Sequence, residues 1–400
     1  MTLEKKDEID NLLNHGIEQI YPTRDFLKAK LERGEKLSLY LGIDPTGPSL
    51  HIGHAIVLKK LRDFQRFGVK IILLIGDFTG MIGDPTDKTA VRKTQTKEEV
   101  LANAKLYKKQ ASLFLQFSGA NKAELKYNSK WLSKMSFEDV VHLASHFTVQ
   151  QMLERDMFQK RFSEQKPIHL HEFLYPLMQG YDSVALDVDG EIGGNDQTFN
   201  MLAGRTLMKQ LKGKEKFVIT MKLLADSGGL KMGKTTNNAV SLADSPNEMF
   251  GKVMSWSDGM ILSGFELCTD VSSLEIENIK NDLKNGTNPK DIKVRLAKEV
   301  VALYHSSRDA DEAEKNFTET FSRKGISDDA EVFSAASGEK IIDVIVRAKL
   351  VASKTEARRL FDEGAVSEIG GEKITDQAFG VTKDINVKVG KHRFLKIKVS

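Results

Sequence analysis

Cysteine is almost missing from this chain: Cys268 stands alone among 400 residues, so no internal disulfide can form and a reducing compartment is expected. Long apolar runs are missing as well. The opening Met1-Thr2-Leu3-Glu4-Lys5-Lys6-Asp7-Glu8 has none of the apolar character of a secretion signal, and the run Ile71–Ile75 is too short to cross a bilayer. The expectation is a soluble, cytoplasmic protein with no membrane partner. Charge of one sign does not dominate either, since 59 Lys+Arg against 56 Asp+Glu leave +3. The imbalance is local: residues 339–400 hold 13 basic and 9 acidic side chains, so the rest is near −1 and the tail is the part suited to a polyanion. An apolar content of 40% and a charged content of 29% describe an ordinary globular chain, long enough for two or three domains.

One stretch organises the remainder. Residues 37–43, Leu-Ser-Leu-Tyr-Leu-Gly-Ile, alternate like a strand, and Asp44-Pro45-Thr46-Gly47-Pro48 must turn. After Leu50-His51-Ile52-Gly53-His54, the residues Val57, Leu61 and Phe64 recur at helical spacing. The two histidines therefore fall in a helix's first turn, where free backbone N–H groups and the dipole suit phosphate. Gly53, without a Cβ, would let a ligand approach the backbone. The plainer reading is a capped helix with two surface histidines. In its strand–turn–helix setting, the stretch resembles the HIGH signature of class I aminoacyl-tRNA synthetases, which implies ATP binding at this helix start.

Val69–Ile75 reads as a buried parallel strand ending in the glycine-rich turn Gly76–Thr86, which contains Gly83-Asp84-Pro85. Strand–helix–strand with ligand-type loops at strand ends predicts a Rossmann-like, doubly wound α/β sheet. Residues 3–34 read as one or two helices broken at Pro22, and 94–162 as helical throughout, with a Thr96–Glu99 capping box. Val149, Met152, Leu153, Met157 and Phe158 form a stripe near helical spacing, fit for core packing or a subunit interface. His142 and His146, four apart, have no accompanying carboxylate or cysteine cluster and do not suggest a metal site. If Tyr175–Asp182 is helical after Pro176, then Tyr175, Gln179 and Asp182 share a face, gathering a phenol, an amide and a carboxylate. Ser183–Val188 reads as a strand leading into the glycine turn Gly193-Gly194-Asn195-Asp196, where Asp196 could accept ribose hydroxyls.

Taken together, Tyr40-x-Gly42-x-Asp44-Pro45-Thr46, Gly83-Asp84-Pro85, Tyr175-x-x-x-Gln179-x-x-Asp182 and Gly193-Gly194-x-Asp196-Gln197 are similar to the bacterial-type tyrosyl-tRNA synthetases over nearly the whole chain. The resemblance implies activation of L-tyrosine by ATP, with Mg2+ on the phosphates and no protein-bound metal, then transfer to tRNA(Tyr) by a homodimer. It implies that Tyr40 and Asp182 hold the substrate hydroxyl, that Asp84, Tyr175 and Gln179 hold its ammonium, and that Gln197 lies nearby. Gly42, Asp44, Thr46, His51, Gly53, His54, Gly194 and Asp196 would line the ATP site. Lys231-Met232-Gly233-Lys234-Thr235 resembles the KMSKS loop, with glycine for the third-position serine and threonine for the last. The catalytic set would then be Thr46, His51, His54, Lys231, Lys234 and Thr235.

The implied domains are a catalytic domain over 1–225 with a helical insertion at about 120–172, a loop over 226–238, and a helical anticodon-region domain over 239–321. A linker over 322–338 and a small α+β RNA-binding domain over 339–400, presenting Lys349, Lys354, Arg358 and Arg359, would follow. A tryptophanyl-tRNA synthetase would lack this tyrosine-pocket pattern, and a small nucleotidylyltransferase would not need the modules after the lysine loop. A non-catalytic RNA-binding protein would leave the cleft residues idle.

Overall fold

The computed structural model describes residues 3–84, 95–225, 240–322, 332–351, 353–368, 373–390 and 393–399. They fall into two compact units, 1–306 and 307–400.

Six strands form the sheet of the first unit: β1 (Ile17–Tyr21), β2 (Ser38–Ile43), β3 (Lys70–Ile75), β4 (Glu124–Tyr127), β5 (Gly190–Gly194) and β6 (Phe217–Met221). Their order is β1-β6-β5-β2-β3-β4, parallel except for β1, which runs antiparallel to β6. From β2 the chain winds outward through β3 to β4, then returns to β5 on the other side of β2. The strand order reverses between β2 and β5, and their carboxyl ends frame the crevice where doubly wound sheets bind ligands. The apolar run of β3 is buried on both faces, as a central parallel strand requires.

Several expected elements lie elsewhere. Residues 3–34 hold two helices, Leu3–Asn14 and Arg24–Glu32, with β1 between them. Likewise β4 interrupts the stretch 94–162. Both are short edge strands, Ile-Glu-Gln-Ile-Tyr and Glu-Leu-Lys-Tyr, whose polar faces erase the apolar signal. The stripe 149–158 is split between the helices Val149–Leu153 and Asp156–Ser163, with Met152 and Phe158 buried and Val149 exposed. The strand expected over 183–188 is helix: Leu170–Leu186 runs continuously through Pro176 and ends at Asp187 in the left-handed region. The strand there is β5 instead, rich in glycine because a Cβ at Gly190 would stand 2.1 Å from the Phe217 ring.

The helices between 246 and 304 do not break away at 239. They belong to the first unit, held to the helix Ile52–Arg66 by the paired Arg62–Asp270 contacts at 2.7 and 2.9 Å and by Lys59 donating to the Thr269 carbonyl. Cys268 is buried among them, and burial pushes its thiol up to about 12, which leaves it inert.

In the second unit, β7 (Val332–Ala335), β12 (Arg393–Val399), β11 (Ile385–Val389) and β9 (Val366–Glu368) form one sheet in that order; β8 (Glu339–Lys340) pairs with β10 (Gly380–Val381). The helices Ile341–Arg347 and Lys354–Asp362 supply Ile341, Val344, Ile345 and Phe361 to the core over it. Because β7 pairs in parallel with the last strand, the linker expected over 322–338 gives way to folded chain by Val332.

Candidate active site

His51 is the N-cap of its helix rather than part of the first turn. Its Nδ1 accepts from the Gly53 amide at 3.1 Å, and His54 Nδ1 accepts from the His51 amide at 3.2 Å, a capping box built from two imidazoles. Their ring centroids lie 3.9 Å apart. A Cβ on Gly53 would stand 3.0 Å from the His51 ring, so the glycine there makes room for its own cap before any ligand. The strand-like stretch 240–242 pins this turn: Ile52 donates to the Val240 carbonyl and Leu242 to that of Leu50, both at 2.9 Å. The expected phosphate lysines, Lys231 and Lys234, and Thr235 lie outside the described residues.

Asp44, at the end of β2, is the hub of the crevice. Its carboxylate accepts from Tyr175 Oη at 2.8 Å and Thr79 Oγ1 at 2.7 Å. Gly76 clears the space, since a Cβ there would lie 1.9 Å from Asp44 Oδ1. Asn128 continues the chain, donating to Thr79 Oγ1 at 3.0 Å and to Asp182 Oδ2 at 3.2 Å, while Trp131 Nε1 donates to Asp182 Oδ1 at 2.7 Å. Burial pushes the Asp182 carboxyl well above its ordinary range, and these two N–H donors pull it back toward the acceptor role. Tyr40 is fully buried beside it, against Ile72, Leu74 and Trp131; burial drives its phenol well above 10, with Glu191 and Asp182 adding to the shift. Tyr175, Gln179 and Asp182 lie four and three residues apart on one continuous helix, where they meet Asp44, Glu191, and Asn128 with Trp131.

The groups expected to receive the ammonium have protein partners. Asp84 accepts from Arg155 Nη2 at 2.8 Å and from Gln197 Nε2 at 2.9 Å, and Asn200 braces both Asp84 and Gln197. Gln179 Nε2 donates to Glu191 Oε1 at 3.0 Å. Toward the solvent side, Gly42 is exposed and Thr46, His51, Gly53, His54, Gly194 and Asp196 are half-buried. A Cβ on Gly194 would press to 2.5 Å from Asp196 Oδ1, which explains the glycine at the end of β5. The crevice thus has a dry floor that suits a ring and a wetter rim that suits a nucleotide.

Sequence reasoning missed Thr79, Asn128, Trp131, Arg155, Asn200, Ser183, Glu191 and Lys216. None belongs to a recognisable local pattern, and only the fold makes them neighbours. Glu191 carried a faint signal, as an acidic residue one step inside a glycine-rich strand. In the second unit, Lys349, Lys354, Arg358 and Arg359 are all exposed; Lys354 pairs with Asp343 at 2.6 Å, and Arg358 and Arg359 lie opposite the buried Ala357 and Leu360 of their helix.

Two family models match in succession, tRNA synthetases class I (W and Y) over residues 32–322 and the tyrosine–tRNA ligase SYY-like C-terminal domain over 323–395. The chain is 42% identical over 389 residues to the tyrosine–tRNA ligase of Mannheimia succiniciproducens, covering 97% of each. It is 44% identical over 402 residues to that of Carboxydothermus hydrogenoformans, covering 96% of each. Among solved structures, a truncated mitochondrial tyrosyl-tRNA synthetase of Coccidioides posadasii aligns with a TM-score of 0.63 at 26% identity, over 78% of this chain and 94% of that one. The Archaeoglobus fulgidus tyrosyl-tRNA synthetase complexed with L-tyrosine aligns at 0.61 and 22%, over 77% and 99%, a likeness of fold.

Proposed function

The chain belongs to the class I tRNA synthetases of the tryptophan and tyrosine type and has tyrosine–tRNA ligase activity; from that premise we propose how its residues divide the work. Tyr40 and Asp182 read the substrate hydroxyl at the dry floor. Asp84, Tyr175 and Gln179 receive the ammonium, with Gln197 bracing Asp84. Gly42, Asp44, Thr46, His51, Gly53, His54, Gly194 and Asp196 line the nucleotide. Lys231, Lys234 and Thr235 meet its phosphates.

The tyrosine carboxylate attacks the α-phosphate, and pyrophosphate leaves with Mg2+ bound to it. A carboxylate is ionised near neutral pH, so no general base is required. Rate then comes from positioning and from donors aimed at charge developing on the phosphates. His51 and His54 suit this. Each spends Nδ1 as acceptor in the capping box, so in the neutral ring Nε2 carries the proton and is the donor type that a phosphate takes. The tRNA is held by the second unit through Lys349, Lys354, Arg358 and Arg359. Large apolar side chains left exposed between 137 and 170, among them Phe137 at 84%, Phe162 at 70% and Leu170 at 82%, support a homodimer closed over this region. Among the described residues, no helix is long and apolar enough to span a membrane.

The observation carrying the assignment is the convergence of Tyr40, Asp182, Tyr175 and Gln179 at the point where the strand order reverses. It is tested by the ratio of kcat/KM for tyrosine over phenylalanine in pyrophosphate exchange. Tyr40→Phe should lower that ratio about tenfold or more, because one partner of the phenol is removed from a buried site. An unchanged ratio refutes the assignment.

A further inference from the structure

Behind the candidate tyrosine pocket lies an ion pair with no part in the reaction described so far. Lys216, just before β6, is wholly buried, as is Ser183; Glu191 on β5 is 1% exposed. Tyr40 and Glu191 are register partners on β2 and β5. Lys216 Nζ donates to Glu191 Oε2 and, at 2.7 Å, to Ser183 Oγ. Ser183 Oγ lies 3.0 Å from Tyr40 Oη and 3.4 Å from Glu191 Oε2. The other carboxylate oxygen accepts from Gln179 Nε2 at 3.0 Å.

The donor and acceptor count then fixes directions. An ammonium has three donors and no acceptor, so Ser183 Oγ accepts from Lys216 and has one proton to give. The nearer recipient is Tyr40 Oη, since 3.4 Å is beyond the ordinary O–H···O range. With Ser183 donating to it, Tyr40 keeps its own proton for another acceptor. The hydrogen bond the fold gives it is to the Gln179 backbone carbonyl at a long 3.5 Å, with the Glu191 carboxylate as a second side-chain partner of the phenol, and a ligand oxygen competes with both. Glu191, as a carboxylate paired with the Lys216 ammonium, accepts only. It therefore forces the amino end of Gln179 toward itself and leaves the amide oxygen, an acceptor, for a cation.

We propose that Lys216, Glu191 and Ser183 form a buried polarity relay, which makes Tyr40 a donor toward the substrate phenol and Gln179 an acceptor toward its ammonium. These three are positioning residues, one layer behind the substrate, and the proposal rests on the assignment of Tyr40 and Gln179 above. The fold reserves space for them. Gly204, on the helix Thr198–Lys212, faces the cluster, and a Cβ there would lie 2.6 Å from Lys216 Nζ and 2.7 Å from Ser183 Oγ. A buried ion pair is a poor source of stability compared with apolar side chains of the same volume, so stability alone gives no reason for charges here.

The test uses the full-length protein in tyrosine-dependent pyrophosphate exchange. Ser183→Ala removes one hydroxyl, and the double variant Lys216→Met/Glu191→Gln removes both charges while preserving shape; a lone Lys216→Met would strand a buried carboxylate and is avoided. Ser183→Ala should lower tyrosine-over-phenylalanine discrimination about five- to tenfold, the value of one net hydrogen bond. In the double variant Gln179 is free to turn its amide, so the tyrosine KM should rise about tenfold. The ATP KM should hold in both, a split that mere loosening of the fold would not give. Tyr40→Phe is measured alongside. If it lowers discrimination while neither relay variant alters discrimination or tyrosine KM, the relay is wrong and the pocket assignment stands. If Tyr40→Phe has no effect either, the assignment fails and the relay with it.

Discussion

The same substitution, glycine to alanine in a helix, should have opposite effects at two places. The helices Leu170–Leu186 and Thr198–Lys212 touch where Gly180 meets Gly204, and a Cβ on Gly180 would lie 3.1 Å from the Gly204 nitrogen. On Gly204, a methyl would stand 2.6 Å from Lys216 Nζ, 2.7 Å from Ser183 Oγ and 3.4 Å from Glu191 Oε2. Those neighbours cannot swing into solvent, because all three are buried and bonded to one another. Forcing a methyl into such a place costs about 1–3 kcal/mol, and alanine's better helix propensity returns about 1 kcal/mol. Gly204→Ala should therefore destabilise by up to about 2 kcal/mol. Gly251, in the helix Pro246–Met254, has nothing within 4 Å of an added Cβ. Gly251→Ala should keep the full propensity gain of about 1 kcal/mol. The two variants would then differ by roughly 1–3 kcal/mol, or roughly 2–5 °C in melting temperature for a unit of this size. Thermal unfolding followed by circular dichroism reads the difference. Tyrosine KM gives an independent reading, since only Gly204→Ala disturbs the relay behind Tyr40. Two shifts of equal sign and size would refute the packing described where the two helices meet.

Lys60 gives a pH signature: burial pulls its ammonium down to about 8 from an ordinary 10.5, with its Nζ on the Leu12 carbonyl at 3.0 Å. Between those values the unfolded chain binds the extra proton, so stability rises with pH; measured against Lys60→Met in urea, the parent should gain about 3 kcal/mol from pH 8 to 10.5, and a flat difference would contradict the burial. Lys234→Ala should slow single-turnover adenylate formation far more than it weakens tyrosine binding, because pyrophosphate charge is stabilised chiefly in the transition state; equal losses would place the lysine in the ground state. Truncation after Ser322, before β7 rather than inside its sheet, should leave pyrophosphate exchange nearly intact and weaken tRNA binding. The salt slope of tRNA affinity should fall by about one for each phosphate that the removed residues had neutralised, and an unchanged slope would remove that segment from the RNA surface.

By itself the sequence determined what local chemistry can carry. The alternation from Leu37 to Ile43, the turn at Asp44-Pro45, and His51 and His54 at the start of a periodic helix specify strand, turn and capped helix without help from distant residues. The 3.6-residue period alone put Tyr175, Gln179 and Asp182 on one face. Edge strands β1 and β4 were invisible because a strand with one open side needs no apolar run, and β5 because its glycines answer to Phe217 and Asp196, which lie elsewhere in the chain. For the same reason the linker was misplaced: Val332–Ala335 is a strand only because the last seven-residue strand, Arg393–Val399, returns to pair with it. The direction of the Tyr40 hydrogen bond is decided still further from local sequence. It depends on an ammonium 176 positions along the chain, brought into reach by parallel register and by a glycine that leaves it room. Hydrogen-bond polarity in a dry site is a property of the whole buried network, and no stretch of sequence contains that network.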